Sequence, residues 1–437
     1  MQILVNIGSI ALILGVLVFI HELGHYAVAK WCGVRVEVFS IGFGKRLWGF
    51  RRGETDYRIS VLPLGGYVKM AGENPLEDRT GDPGEFTSHP RWQRFLIAIA
   101  GPLMNVLFTI GLLTGIFMFH NERVKALDDS FVIGAIADGS SAQKSGLQPG
   151  DKIIRIQDVN NPNWQQVSDK VILNPNQPIE ITVQRGNEIL TKTVVPQAGK
   201  RDPLGEMGWE PLIPATVVKR VEPNLPGEKI GMQPGDEITA LNGVPLKDKD
   251  FTTLLQEGKG ASAEITFERN GQQFTKTVTP YLDDKVKRYR LGLSLSAAVK
   301  IERLPLGQAF NKALDETQSK SLLVFELLGK LVQSKISIKV LQSPVGMSSE
   351  AGQAFNEGPA YFLAIMAFIS LQLGIFNLLP IPILDGGLML MLLIEGTLRR
   401  DINQQIKERL YQAAFVCLVL FASVVIFNDV AKGFIHH

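Results

Sequence analysis

Val16-Leu17-Val18-Phe19-Ile20-His21-Glu22-Leu23-Gly24-His25 closes an apolar run that begins at residue 3 and holds no charge before His21. About 20 such residues are enough for a helix to cross a bilayer. In a helix His21 and His25 stand one turn apart on one face, so both imidazoles reach a single metal ion. Glu22 follows the first histidine directly, where its carboxylate can take a proton from an attacking water, its part in zinc peptidases that carry this pattern. His, Glu and His at bilayer depth are costly and rarely persist without a partner or a task. The segment does not read as a signal peptide: no Lys or Arg precedes Lys30, and no small-residue cleavage site follows.

The rest of the chain suits a membrane protein of several units. Its 437 residues, 45% of them hydrophobic, allow two to four. A net charge of +2 on 45 basic and 43 acidic residues argues against nucleic acid as a partner. Cys32 and Cys417 lie far apart at or inside apolar segments, which suggests neither a disulfide framework nor a zinc ribbon. Six histidines, two of them at the C-terminus, are too few for a multi-histidine di-iron site.

Four stretches can span a membrane: 3–28, 94–119, 360–394 with an interruption, and 411–428. Eleven Lys and Arg side chains between Lys30 and Arg94, and Arg399, Arg400, Lys407 and Arg409 before the last span, place both loops in the cytoplasm. The termini and 120–359 then face outward, and His21 and His25 lie near the cytoplasmic end of the first span. In the first loop, 57–70 holds two β-prone runs broken by Pro63, Gly65 and Gly66, the pattern of a hairpin that could dip into the membrane beside the metal motif. Gly101 and Pro102 open the second span to close packing, and Asn105 could hydrogen-bond a neighbouring helix or a metal ligand.

The third span is expected to break. Past Asn377, two prolines, Pro380 and Pro382, and two glycines, Gly386 and Gly387, interrupt its helix at membrane depth, where irregular backbone survives only inside protein or beside a water-filled cavity. Asp385 is the acid within that break. With His21 and His25 it would give a metal three protein ligands and leave a fourth position open for water, as hydrolytic zinc sites require. Glu395 is the competing ligand, set aside because a solvated acid beside Arg399 at the boundary needs no special purpose.

The outward region repeats itself. Ser145-Gly146-Leu147-Gln148-Pro149-Gly150-Asp151-Lys152-Ile153 recurs 85 residues later as Ile230-Gly231-Met232-Gln233-Pro234-Gly235-Asp236-Glu237-Ile238, each before a β-run. This resembles the PDZ domain, which adds peptides to a sheet edge; neither copy shows an unambiguous carboxylate-binding loop, and steric bulk is the other role open to them. An amphipathic helical pattern follows from 306 to 336.

Taken together, His21-Glu22-x-x-His25, Gly101-Pro102-x-x-Asn105 and Asn377-x-x-Pro380-x-Pro382-x-x-Asp385-Gly386, with two PDZ-like units between, resemble the site-2 protease family, in particular its bacterial regulator of sigma-E type. The resemblance covers nearly the whole chain. It implies a zinc-dependent intramembrane endopeptidase of the bacterial inner membrane, with one Zn2+ per chain, outward PDZ domains and a zinc site near the cytoplasmic side. Such enzymes cut single-span anti-sigma factors after a first cleavage, and clear remnant signal peptides. It also implies that the PDZ pair excludes uncut substrates, that the element around Leu64-Gly65-Gly66-Tyr67 re-enters the membrane and pairs with unwound substrate, and that Asn377 positions it.

The expected architecture is thus a polytopic α-helical membrane protein with four transmembrane helices, one broken, a membrane-associated β-hairpin or sheet, and two tandem α+β PDZ domains. Its units are 1–30 with the zinc motif, a β region 31–92, the second span 93–120, PDZ units 121–205 and 206–297, an amphipathic region 298–358, the broken span 359–398, and 399–437 with the last span. A reading from another class, a membrane-anchored PDZ scaffold or chaperone, requires a closed four-ligand structural metal.

Overall fold

A computed structural model of the chain describes residues 2–73, 81–123, 131–199, 203–212, 216–246, 251–283, 288–297 and 300–434. Arg79 and the side chain of Leu64 lie outside what is described. The chain forms two compact units, one of Met1–Asn121, Arg303–Phe325 and Leu341–His437, the other of Glu122–Glu302 and Glu326–Val340.

In the first unit, four helices are long and apolar enough to cross a membrane: Gln2–Cys32, Arg91–Phe119, Pro359–Asn377 and Gln404–Asp429. Ile13 and Leu17 of the first are fully buried against Phe362, Met366 and Ile369 of the third. The stretch 360–394 contains two helices, Pro359–Asn377 and Asp385–Leu398. Pro380 and Pro382 lie between them, without amide hydrogens to continue a helix. Turn bonds from Ile381 N to Leu379 O, 2.7 Å, and from Leu384 N to Ile381 O, 2.8 Å, carry the backbone across. A Cβ on Gly386 would stand 2.3 Å from Leu378 O, and one on Gly387 2.1 Å from Ile381 O. The glycine pair therefore lets the second helix fold onto its own lead-in, which fixes Asp385 at its first position.

The β element differs from the hairpin expected within 57–70. Its two runs do not pair with each other; residues 38–41 lie between them, with Phe39 opposite both Tyr57 and Val68, and Ile41 opposite both Ile59 and Gly66. The strands are Val36–Arg52 and Thr55–Met70, and the turn joining them falls at Gly53-Glu54. Gly42 and Gly44 take φ of 88° and 90°, left-handed backbone open to glycine, and bend the first strand back on itself. The result is four limbs in the order 66–70, 36–41, 55–60 and 46–52, with 66–70 at one edge.

Helix Leu306–Val332 occupies the amphipathic stretch, and helix Pro344–Glu357, capped by Ser343, follows it unforeseen. In the second unit the repeat governs the structure. Strands Lys152–Ile156, Ile179–Arg185 and Glu188–Val194 form one antiparallel sheet, and Glu237–Leu241, Ala263–Arg269 and Gln272–Val278 lie in the same succession in the other. Each sheet covers a helix, Trp164–Ile172 or Phe251–Glu257, around its own core. The main chain agrees in detail: Gly150 N donates to Ile133 O and Ile133 N to Asp151 O, as Gly235 N does to Val218 O and Val218 N to Asp236 O.

Candidate active site

His21 and His25 project from the first helix one turn apart, both buried, with their Nε2 atoms 3.2 Å from each other. Asp385 meets them from the start of helix Asp385–Leu398: Oδ2 lies 3.1 Å from His21 Nε2 and Oδ1 3.5 Å from His25 Nε2. Ligands held at about 2.0–2.1 Å by tetrahedral zinc are about 3.3 Å from one another. The three side chains stand close to the spacing such an ion requires, and their donor set of two imidazoles and a carboxylate suits it. Among the described residues no fourth His, Cys, Asp or Glu joins the group. That counts against the closed site a scaffold would need.

The space for this cluster comes from the second helix. A Cβ on Gly101 would fall 2.3 Å from His25 Nε2 and 2.8 Å from His21 Cε1. His25 Nδ1 lies 2.7 Å from the carbonyl oxygen of Ile97, and His21 Nδ1 lies 3.3 Å from Nδ2 of Asn105, both on that helix. Gly374 lets the third helix approach at Pro102, since a Cβ on Gly374 would be 3.0 Å from the Pro102 carbonyl oxygen. Glu22 is held by the sheet: its Oε2 accepts from Val68 N at 3.0 Å. The limb 66–70 thus runs beside the helix, with Gly65 against Val18. Tyr67 stacks on Phe43 at 5.9 Å, and its hydroxyl accepts from Arg58.

Glu395 is elsewhere. Its Oε1 lies 2.5 Å from Lys407 Nζ and accepts from Ile402 N at 3.1 Å, and its side chain is 1% exposed. The expectation of a solvated boundary acid is corrected to that of a buried, paired one. Asn377 closes helix Pro359–Asn377, and Pro380 and Pro382 occupy the turn before Asp385, Pro380 exposed. The bonds from His25 Nδ1 to Ile97 O and from Val68 N to Glu22 were not readable in advance, because main-chain groups leave no mark in a sequence.

The model of peptidase family M50 matches residues 9–421. The chain belongs to peptidase family M50. This M50 peptidase is 32% identical over 448 residues to the regulator of sigma E protease of Haemophilus influenzae, covering 98% of this chain and 99% of the relative. It is 33% identical over 463 residues to a Vibrio cholerae protein whose name places it with the zinc metalloproteases, with 99% of both chains covered. Among solved structures, the PDZ domain of an SdrC-like protein from Listeria monocytogenes aligns with 18% of the M50 peptidase and 85% of its own length, at 20% identity and a TM-score of 0.17. The M50 peptidase is a multi-pass membrane protein and a zinc-dependent metalloendopeptidase of the site-2 protease type.

Proposed function

We propose that the chain hydrolyses peptide bonds within transmembrane segments at the site formed by His21, Glu22, His25 and Asp385. The observation that carries this reading is the convergence of two imidazole Nε2 atoms and one carboxylate within 3.1–3.5 Å, at the end of a helix apolar enough to span a bilayer. His21, His25 and Asp385 hold the zinc. Bound there, zinc polarises the scissile carbonyl and lowers the pKa of the attacking water. Glu22 takes the water proton and delivers it to the leaving amine. Val68 N–H holds the Glu22 carboxylate on the side of the helix that faces the sheet.

A substrate helix satisfies its own backbone, so its scissile bond must become extended before attack, and a strand edge replaces the lost hydrogen bonds. The limb 66–70, with Gly65, Gly66 and Tyr67, supplies that edge beside Glu22; Asn377, Pro380 and Pro382, in the segment that leads to Asp385, contribute to substrate positioning. Gly101, Pro102, Asn105 and Gly386 support the site. The exposed Leu47, Trp48 and Phe50, among Arg46, Arg51 and Arg52, suit a sheet tip lodged at the membrane interface.

The basic loops put the zinc site near the cytoplasmic face of an inner membrane and the repeats in the periplasm, where they serve as tandem PDZ domains. A cleft of about 530 Å³ between helix Phe251–Glu257 and residues 288–295 gives the second repeat a place for an extended peptide. Substrates are single-span proteins of the anti-sigma factor type, already shortened by a first cleavage, and remnant signal peptides.

The test is cleavage of a single-span substrate by purified protein in detergent, wild type beside Glu22→Gln, with zinc quantified in both. Equal zinc and a loss of roughly 10²–10⁴-fold in rate are expected of a missing general base. Equal cleavage by the two would overturn the assignment.

A further inference from the structure

An imidazole that ligates zinc through Nε2 carries its proton on Nδ1, and the group that accepts that proton sets the ring's orientation. His25 has such an acceptor in the Ile97 carbonyl oxygen, 2.7 Å from Nδ1. His21 has Asn105, and the structure shows the amide the other way round: Nδ2 lies 3.3 Å from His21 Nδ1, so one donor would face another once the ring held a metal. Asn105 is 0% exposed, and its Oδ1 has no hydrogen-bond partner. A half-turn of the amide about χ2 exchanges oxygen and nitrogen and moves no other atom.

We propose that Asn105 is a positioning residue for the metal, presenting Oδ1 to His21 Nδ1–H in the zinc-bound protein. This rests on His21 and His25 being zinc ligands. In the arrangement seen here His21 Nε2 lies 3.1 Å from Asp385 Oδ2 and Nδ1 faces the Asn105 amide nitrogen, the pairing that suits a ring whose proton is on Nε2. A ring that held zinc through Nε2 would carry its proton on Nδ1, and the amide would then turn Oδ1 toward it. One amide atom lacks a partner before the turn and one after, so the turn itself is nearly neutral. The side chain is delivered by a fixed main chain: the Asn105 carbonyl oxygen accepts from Thr109 Oγ1 and Ser370 Oγ, each at 2.9 Å, and Thr109 Oγ1 also reaches Ala367 O at 3.0 Å. Two helices thereby set the amide beside His21, whereas His25 relies on a backbone carbonyl that no substitution removes.

The experiment is competition for zinc between a chelator and the full-length protein in detergent, with wild type, Asn105→Leu, Asn105→Asp and His21→Ala. Leucine offers no acceptor, and zinc affinity should fall about ten- to hundredfold, the usual cost of losing a group behind a metal ligand. Aspartate presents an oxygen either way round, and should bind zinc at least as tightly as wild type. Apo-protein melting temperatures that agree among the variants separate this from a general loss of packing. Leucine binding like wild type, or aspartate weakened as much as leucine, overturns the proposal; the second result would make Asn105 a donor. Should the leucine variant not fold, Asn105→Ala takes its place as the acceptor-free variant. Undiminished zinc binding by His21→Ala would instead refute the ligand set, and so tells that failure from this one.

Discussion

Asp385 and Asp236 are both acids beside a glycine just after a turn, and the chain surrounds them in opposite ways. Asp236 is enclosed by a fixed cation: Arg269 Nε reaches Oδ1 at 2.6 Å and Nη2 reaches Oδ2 at 2.7 Å, while Gln233 N adds a bond at 2.8 Å. Asp151 is held identically in the first repeat, with Arg185 at 2.7 and 2.8 Å and Gln148 N at 2.9 Å. In both, the arginine's second nitrogen also binds a turn carbonyl, Gly146 O or Gly231 O. A bidentate guanidinium engages both oxygens of the carboxylate, and the turn amide adds a third bond, so charge and most acceptor capacity are met within the fold. Asp385 instead faces two imidazoles that bring no fixed positive charge. One arrangement closes a fold, and the other waits for a cation.

The largest effect should come from breaking the open arrangement. Asp385→Asn should lose more than the roughly hundredfold in zinc affinity that changes behind a ligand cost, and cleavage should fall to background. Asp236→Asn should keep both zinc and cleavage. Zinc analysis beside a cleavage assay decides, and one zinc per chain in Asp385→Asn would move the third ligand elsewhere.

Next in size is the closed arrangement. Arg269→Met leaves the Asp236 carboxylate buried and unpaired, which should destabilise the second repeat by about 3 kcal/mol. Hydrogen exchange in strand Ala263–Arg269 reads this directly. Unchanged protection there would mean that the pair contributes nothing to the fold.

This contrast was half legible in the sequence. The metal motif, the interrupted span and the repeat all declare themselves by spacing along the chain, because helical period and turn chemistry are local. The partners of the buried acids did not, since pairing depends on which strand lies beside the turn. Yet Arg185-Gly186-Asn187 and Arg269-Asn270-Gly271 stand 84 residues apart, an arginine before a tight turn in each copy, and that recurrence was available. Glu395 was misread because Lys407, its partner at 2.5 Å, lies on the following helix. The sheet was misread because bends at Gly42 and Gly44, far from 57–70, decide which limb enters between its two runs.

A smaller effect probes how tightly the open arrangement is built. Gly101→Ala puts a methyl group 2.3 Å from His25 Nε2, so helix or ring must shift. A displacement on the order of 1 Å at a reacting centre costs about 10²-fold in rate. Cleavage should fall by about that factor while the protein still folds, and a rate within twofold of wild type would show that the second helix has room to yield.

The smallest effect is the acid dependence of the closed pair. Burial pushes the Asp236 carboxyl up, and the Arg269 guanidinium with the Gln233 amide outweighs it, holding the group below its ordinary value. A carboxylate depressed in the folded state adds stability that is fully present above its unfolded value of about 3.9 and is lost as pH falls through the folded value. Exchange protection of the second repeat should therefore be insensitive to this group near neutrality and decline only below about pH 4. Asp236→Asn removes the proton equilibrium, so it should start less protected and lack that part of the decline. An equal acid slope in the variant would assign the loss to other groups. The pair would then be a constraint on geometry that does not respond to protons, and the contrast with Asp385 would rest on shape alone.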